Sequence, residues 1–180
     1  MRKKYEKEGF PAIIIRPTKV YGVKEPNYSY LTLAKLIKKG IFFKVGNGHN
    51  YTSNIYVSDF VNALVNLINY GIIGETYIVS SKDSIDFIET GKIIAEELGT
   101  KFKIIKLPEW FMVMMATIEE NLLIAIGKKP IVTKRNIQMT IQDRVYDITK
   151  AEKEIRYSPE INMETGIRTV IRWYKQKGLL

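Results

Sequence analysis

AIIIRPTKVYG, residues 12–22, decides how the rest of the chain is read. Ala12, Ile13, Ile14 and Ile15 form a short unbroken apolar run rich in β-branched side chains. That is the pattern of a strand covered on both faces, as in a parallel sheet. Pro17 has no N–H to donate and fixes φ, so it is expected to end the ladder. Gly22 releases the chain from the turn that follows. Ligands of open α/β sheets bind outside the carboxyl ends of the strands. Arg16 to Gly22 is therefore a candidate ligand-facing edge, although the same residues also fit an ordinary strand-to-loop exit.

Residues on either side of this stretch read as alternating helices and short strands. Before it, Lys3 to Glu8 look like the tail of a helix closed by Gly9. A helix tail feeding directly into a buried strand carries the expectation that chain is missing upstream. After it come a helix over 29–40, a strand over 41–45, a hairpin turn at Gly46 to Asn50 and a return strand over 51–57. Ser58 is the expected cap of the next helix, with Asp59 in its first turn bonding backbone N–H groups. A strand over 74–80 follows, then a helix opened by Ser84 and closed by Gly99, and a half-exposed strand over 102–107. Glu109 to Ile126 is a long helix and the most apolar piece of the chain. Glu119 and Glu120 near its centre argue against a membrane span, which needs about 20 predominantly apolar residues. It reads as a core or partner-covered helix. Lining an apolar pocket and peripheral membrane contact are the less favoured alternatives. Helices over 133–142, 149–155 and from Met163 to Gly178 complete the reading, with Val145 to Ile148 short and extended.

Composition limits the chemistry. The 180 residues include 28 Lys+Arg against 19 Asp+Glu, a net charge of +9. The basic residues are spread along the chain, and no zinc-finger spacing, RNA-binding aromatic signature or helix-turn-helix accompanies them, so nucleic acid is not expected as a partner. The absence of cysteine removes disulfides, thiol catalysis and Cys-based metal sites, and suits a cytoplasmic location. A single histidine, His49, lies in a Gly-Asn-Gly-His-Asn turn and leaves no His cluster for a metal. The charged N-terminus lacks the apolar stretch of a signal peptide.

Four blocks, in order, carry a resemblance. Arg16-Pro17-Thr18-Lys19-Val20-Tyr21-Gly22 is similar to an Arg-Pro-x-x-Val-Tyr-Gly segment. Asn54 to Ala63 is similar to a Tyr-Val-x-Asp-val-Ala-x-Ala block, and Gly74-Glu75-Thr76-Tyr77-Ile78-Val79 to a Gly-Glu-x-Tyr-x-Val strand. Asp147-Ile148-Thr149-Lys150-Ala151, Tyr157-Ser158-Pro159 and Trp173-Tyr174 match an Asp-x-Ser-Lys-Ala…Tyr-x-Pro…Trp-Tyr ending. Together they resemble the C-terminal, substrate-binding half of an extended short-chain dehydrogenase/reductase. The group is the NAD-dependent epimerase/dehydratase family, with a tilt to its 3β-hydroxysteroid-dehydrogenase-like branch.

The resemblance implies an α/β fold. It would be the C-terminal part of an NAD(P)-binding Rossmann fold, a few short strands with several helices, with the N-terminal dinucleotide-binding unit missing. Residues 1–180 would be one region, a last Rossmann strand at about 11–22 followed by a substrate-binding subdomain. It further implies hydride transfer at a carbinol or ketone carbon by the full-length enzyme, with NAD or NADP. The family's Gly-x-x-Gly-x-x-Gly is absent, and so is its catalytic Tyr-x-x-x-Lys in the expected place just upstream of the first helix. No catalytic residue and no metal ligand is therefore assigned, and the chain alone is expected to be inactive.

On the same resemblance Pro17, Thr18, Lys19 and Val20 approach the nicotinamide end of the cofactor, with backbone groups able to meet its carboxamide. Tyr21, Asn50, Thr52 and Arg144 are assigned to the small-molecule substrate. Sugar-nucleotide members often carry Arg where this chain has Thr52, seven residues before Asp59, to grip a diphosphate bidentately. Thr52 cannot do so. Arg144 could bind an anion or pair with Asp143, Asp147 or another carboxylate. The other readings are a nucleotide-sugar epimerase/dehydratase fragment and a non-catalytic binding or scaffold module. The expected macromolecular partners are a missing N-terminal half or a second copy in a homo-dimer.

Overall fold

The computed structural model describes residues 11–26, 28–45, 50–125 and 142–180. The expected helices over 1–9 and 133–142, the turn at Gly46 to His49 and the end of the long helix at Ile126 lie outside these residues. Strand β1 (Ile14–Pro17) pairs in parallel with β6 (Thr76–Val79), Ile14 opposite Thr76 and Pro17 opposite Val79. Pro17 is thus the last rung of the ladder and does not stop it short. Ile14 and Thr18 both donate their N–H to the β6 side, at 2.9 and 3.0 Å. With the two-residue period of a strand, the N–H that proline lacks would point to the opposite edge, where no rung of this pair is lost. The run is less covered than expected. Ile14 and Ile15 are half-buried and Arg16 and Pro17 exposed, because among the described residues β1 has one hydrogen-bonded neighbour.

Among the described residues the two strands of the expected hairpin do not pair with each other. β3 (Ile41–Val45) pairs in parallel with β8 (Lys103–Leu107), a strand some 60 residues away in sequence. The return strand is split in two: β4 (Tyr51–Thr52) pairs antiparallel with β7 (Ile85–Asp86), and β5 (Ile55–Tyr56) pairs in parallel with β2 (Val20–Tyr21). Two causes are visible. Buried Ser53 interrupts the strand to bond elsewhere, and Phe42 draws β3 onto Phe87 and Phe102, ring centroids 4.9 and 5.1 Å away.

Helix α1 (Ser29–Lys38) packs with α3 (Phe87–Leu98) and α6 (Met163–Gln176) around one core, which includes Tyr21, Ile37, Phe42, Ile94, Ile167 and Tyr174. The four apolar positions read onto the last helix, Ile167, Val170, Ile171 and Tyr174, are all fully buried. A second core joins α2 (Val57–Tyr70) to β6 and α5 (Thr149–Glu154) through Ala63, Tyr77, Val79, Ile148, Ala151 and Ile155. Two mid-helix glycines set the spacing of the first core. A Cβ at Gly91 would lie 2.5 Å from the Phe42 ring, and one at Gly166 would collide with the Tyr21 hydroxyl.

The caps differ from expectation. Ser84 does not open α3; Asp86 caps it, accepting from the Ile88 N–H at 2.6 Å. Ser58 is not a cap, since α2 starts at Val57. Asp59 does bond backbone N–H groups, but not its own helix's: its carboxylate accepts from Glu160 at 3.2 Å and Ile161 at 3.0 Å. Helix α4 (Glu109–Ala125) covers the apolar stretch, with Trp110 exposed. Among the described residues no helix is long and apolar enough to cross a membrane.

Candidate functional site

The loop leaving β1 is tied into the sheet by hydroxyls. The Thr18 hydroxyl donates to Ser80 Oγ at 3.4 Å, and Ser80 Oγ donates to Ser53 O at 2.6 Å and lies 2.8 Å from Ser53 Oγ. Ser53 N–H in turn donates to Arg144 O at 3.1 Å, and Arg144 N–H to Tyr51 O at 2.7 Å. Tyr157 fixes the far end by donating to Ser80 O at 2.8 Å. These buried links carry the β1 loop, the β4 segment and the chain at Arg144 to one place.

The result is a cavity of about 340 Å³ in which Lys19, Asn50, Thr52 and Arg144 meet. That is the small end of the size range for ligand pockets. Tyr30, Leu33, Leu36 and Phe87 give it an apolar side, and Ser29, Thr32, Asn54 and Thr90 contribute polar groups. No acidic side chain lines it among the described residues. Lys19 Nζ donates to Ser29 Oγ at 2.5 Å and stands 3.7 Å from Glu25 Oε1. The Lys19 side chain is 40 % exposed; partial desolvation pulls the ammonium pKa down, Glu25 works against that, and the like charge of Arg144 adds to it. The expected pairing of Arg144 is not found among the described residues. Asp143 accepts from Tyr51 N–H and Asp147 from Thr149 N–H, while Arg144 Nε is buried without a hydrogen-bond partner.

The other assigned positions are placed differently. Pro17 is an exposed strand end, and Val20 packs against the second core. Two backbone groups of the loop are taken up inside the sheet: Thr18 N–H by Val79 O, and Lys19 O by Ile55 N–H at 3.0 Å. They are not free for a carboxamide. Tyr21 does not face the cavity. It is 2 % exposed, stacks edge-on with Tyr56 at 5.4 Å and donates to Met163 O, and burial drives its pKa up. Glu25, Ser53 and Ser80 escaped the sequence reading. A glutamate in a polar turn and single serines after strands carry no motif. A Tyr-x-x-x-Lys spacing does occur at Tyr146 to Lys150, away from the family's expected place. Lys150 pairs with Glu75 at 2.5 Å and sits over the Tyr77 ring, and neither it nor Tyr146 lines the cavity.

No family profile matches the chain. Curated relatives do. The 3β-hydroxysteroid-dehydrogenase/decarboxylase isoform 1 of Arabidopsis thaliana is 27% identical over 180 residues, covering 92% of this chain and 40% of that protein. Short-chain dehydrogenase/reductase family 42E member 1 of Danio rerio is 22% identical, covering 91% of this chain and 44% of that protein. The chain is thus similar to extended short-chain dehydrogenase/reductases of the NAD-dependent epimerase/dehydratase family. A solved dTDP-glucose 4,6-dehydratase from Bacillus anthracis, in complex with NAD, superposes with a TM-score of 0.70 at 17% identity, over 99% of this chain and 51% of that one. The chain thus spans about two fifths to one half of the length of these proteins. The cavity lies beside the loop that leaves the carboxyl end of β1, where open α/β sheets bind their ligands.

Proposed function

We propose that these residues form the substrate-binding side of an NAD(P)-dependent oxidoreductase or epimerase, in the hydroxysteroid-dehydrogenase-like branch. Residues 11–22 would supply the last strand of its Rossmann sheet and the remainder a substrate subdomain. The observation that carries this reading is the meeting of Lys19, Asn50, Thr52 and Arg144 in one cavity beside the loop after β1. Its apolar side, Tyr30, Leu33, Leu36 and Phe87, suits a fused-ring or similarly apolar body. Thr52 in place of a diphosphate-gripping Arg supports the same branch, as does the Arabidopsis relative.

These 180 residues do not make a dinucleotide site by themselves. They hold no Gly-rich phosphate loop, and Thr18 N–H and Lys19 O are taken up in the sheet. In the family NAD or NADP accepts or returns the hydride; no step of that transfer is assigned to this chain. Its own residues bind and orient the substrate. The single strand neighbour of β1 among the described residues and the exposed Val61, Val65 and Ile68 on α2 support a further covering unit. Assay of the 180 residues with NAD(H) or NADP(H) and a 3β-hydroxysteroid is expected to give no turnover. Activity is expected when a dinucleotide-binding half is supplied. Robust turnover by the 180 residues alone would overturn this reading.

A nucleotide-sugar substrate is the second reading, favoured by one observation. Two cations, Lys19 and Arg144, face a cavity without a lining carboxylate.

A further inference from the structure

Helix α4 is apolar on every side, which is the composition of a helix that is covered all round. Yet over Glu109 to Ile118 only Ala116 is buried. Trp110 is 68 % exposed, and Met114, Met115 and Ile118 are exposed with it. Trp110, Met114 and Ile118 follow at four-residue steps, so they share one row along the helix. No charged residue falls between Glu109 and Glu119. The one hydroxyl in that stretch is spent on the helix itself, Thr117 Oγ1 donating to Val113 O at 2.7 Å. The chain leading into α4 supplies charge of one sign. Lys101, Lys103 and Lys106 are exposed in and just before β8, and Pro108 alone separates β8 from α4. Glu109, also exposed, is the single acidic residue between Thr100 and Ile118. Phe43 of β3 stands opposite Ile105 of β8, and both are exposed among these lysines. A run of exposed apolar side chains of this kind marks a surface that something covers. The lysines say what. A second copy of this chain would bring the same positive side chains, and its net charge of +9, against them. An anionic surface would be attracted.

We propose that α4 and the lysines of β8 form a docking surface for an anionic lipid bilayer. Trp110, Met114, Met115 and Ile118 lie at the boundary of headgroups and acyl chains, where the indole keeps its N–H near water. Lys101, Lys103 and Lys106 reach the headgroup phosphates while their methylene stems stay on apolar surface. The helix lies along the bilayer and does not cross it. Glu119 and Glu120 close the uncharged stretch, and among the described residues no helix is long and apolar enough to span. The docking goes beyond the substrate-binding reading and does not rest on it. The two meet at one point: an apolar substrate body collects in a bilayer, and a chain held there works where that substrate is concentrated.

The experiment is co-sedimentation of the chain with vesicles of equimolar phosphatidylcholine and phosphatidylglycerol, against vesicles of phosphatidylcholine alone. The chain is expected to sediment with the anionic vesicles at low salt and to partition onto the neutral ones at least tenfold less. Lys103→Gln with Lys106→Gln should lower anionic partitioning roughly tenfold or more, and added salt should weaken the unaltered chain in the same direction. Trp110→Glu and, separately, Met114→Glu should each lower it about tenfold or more. Both side chains are exposed, so thermal midpoints close to that of the unaltered chain will show that these variants fold. Tryptophan emission should shift to the blue when anionic vesicles are added. Trp110→Phe should remove most of that shift and leave sedimentation in place, since Trp173 is half-buried on α6. No sedimentation with anionic vesicles at low salt would overturn the proposal. So would equal partitioning onto neutral vesicles, or unchanged sedimentation of both Trp110→Glu and Met114→Glu. Dimers in sedimentation velocity that Trp110→Glu splits into monomers, with no vesicle binding, would overturn it in favour of a second copy on this face. None of these readouts uses cofactor, substrate or turnover, so each stands whatever becomes of the substrate-binding reading.

Discussion

Asp59→Ala should be among the most damaging surface-distant changes in the chain, and the structure says why. Asp59 is 2 % exposed and sits in the first turn of α2, but its two oxygens accept the N–H groups of Glu160 and Ile161, about a hundred residues further on. These N–H groups stand in the segment that enters α6. A hydrogen bond to a charged group is worth roughly 1.5–3 kcal/mol net, and a buried donor left unpaired costs about 1–3 kcal/mol. Glu160 is exposed and Ile161 half-buried, so water can rescue the first N–H more readily than the second. The expected loss for Asp59→Ala is therefore about 2–4 kcal/mol rather than the full sum for two orphaned donors. Asp59→Asn keeps one acceptor oxygen and should lose about half as much. With a urea slope of about 2 kcal/mol/M, the alanine variant should unfold at a midpoint roughly 1–2 M lower. Amide exchange provides the second readout, since the Ile161 N–H should lose protection in both variants, more in alanine. A change below about 0.5 kcal/mol would refute the bridge as a stabilising element. A large loss with Ile161 protection intact would place the effect in the α2 dipole instead.

Gly91→Ala puts a methyl 2.5 Å from the Phe42 ring, and overpacking of about 1–3 kcal/mol should exceed the helix-propensity gain of about 1 kcal/mol, read as a lower thermal midpoint. Glu97 is held below the ordinary carboxylate range, first by its hydrogen bonds to Arg172 and then by those to Arg168, despite partial desolvation. Its depressed folded pKa means that it stabilises fully above the unfolded value, and that this is lost as pH falls through the folded one. Glu97→Gln should accordingly flatten the acid limb of thermal stability below the ordinary glutamate range, leaving only the limb from other groups. Tyr157→Phe deletes the donor to Ser80 O and should cost about 1 kcal/mol, read as a lower urea midpoint. Val65→Lys with Ile68→Lys should change stability by under about 0.5 kcal/mol, as both are exposed, yet abolish assembly with a supplied dinucleotide-binding half in a pull-down.

Helix positions were largely legible because they depend on local pattern. The face of Ile167, Val170, Ile171 and Tyr174 repeats at helical spacing, and Gly99 ends α3 at φ 65° as its place in the sequence implies. Strand partners were not, because period-2 patterning names a strand without naming its neighbour. Gly46 to Asn50 reads as a hairpin turn by local chemistry alone, while the aromatic contacts of Phe42 with Phe87 and Phe102 are made across long loops and draw β3 to β8. The site divides in the same way. Thr52 and Arg144 stand out because an arginine and a missing arginine are visible as letters. Their meeting depends on Ser53 and Ser80, whose hydroxyls pair across 27 positions and which no motif marks. Lys19 shows the limit most plainly. Its backbone carbonyl is committed to Ile55 N–H on the sheet side, and its side chain reaches the other way to Ser29 and the cavity that Arg144 also lines. Motif position fixes where a backbone goes; only the neighbours decide which ligand the side chain can meet, and here they set Lys19 beside Arg144 with Glu25 behind it.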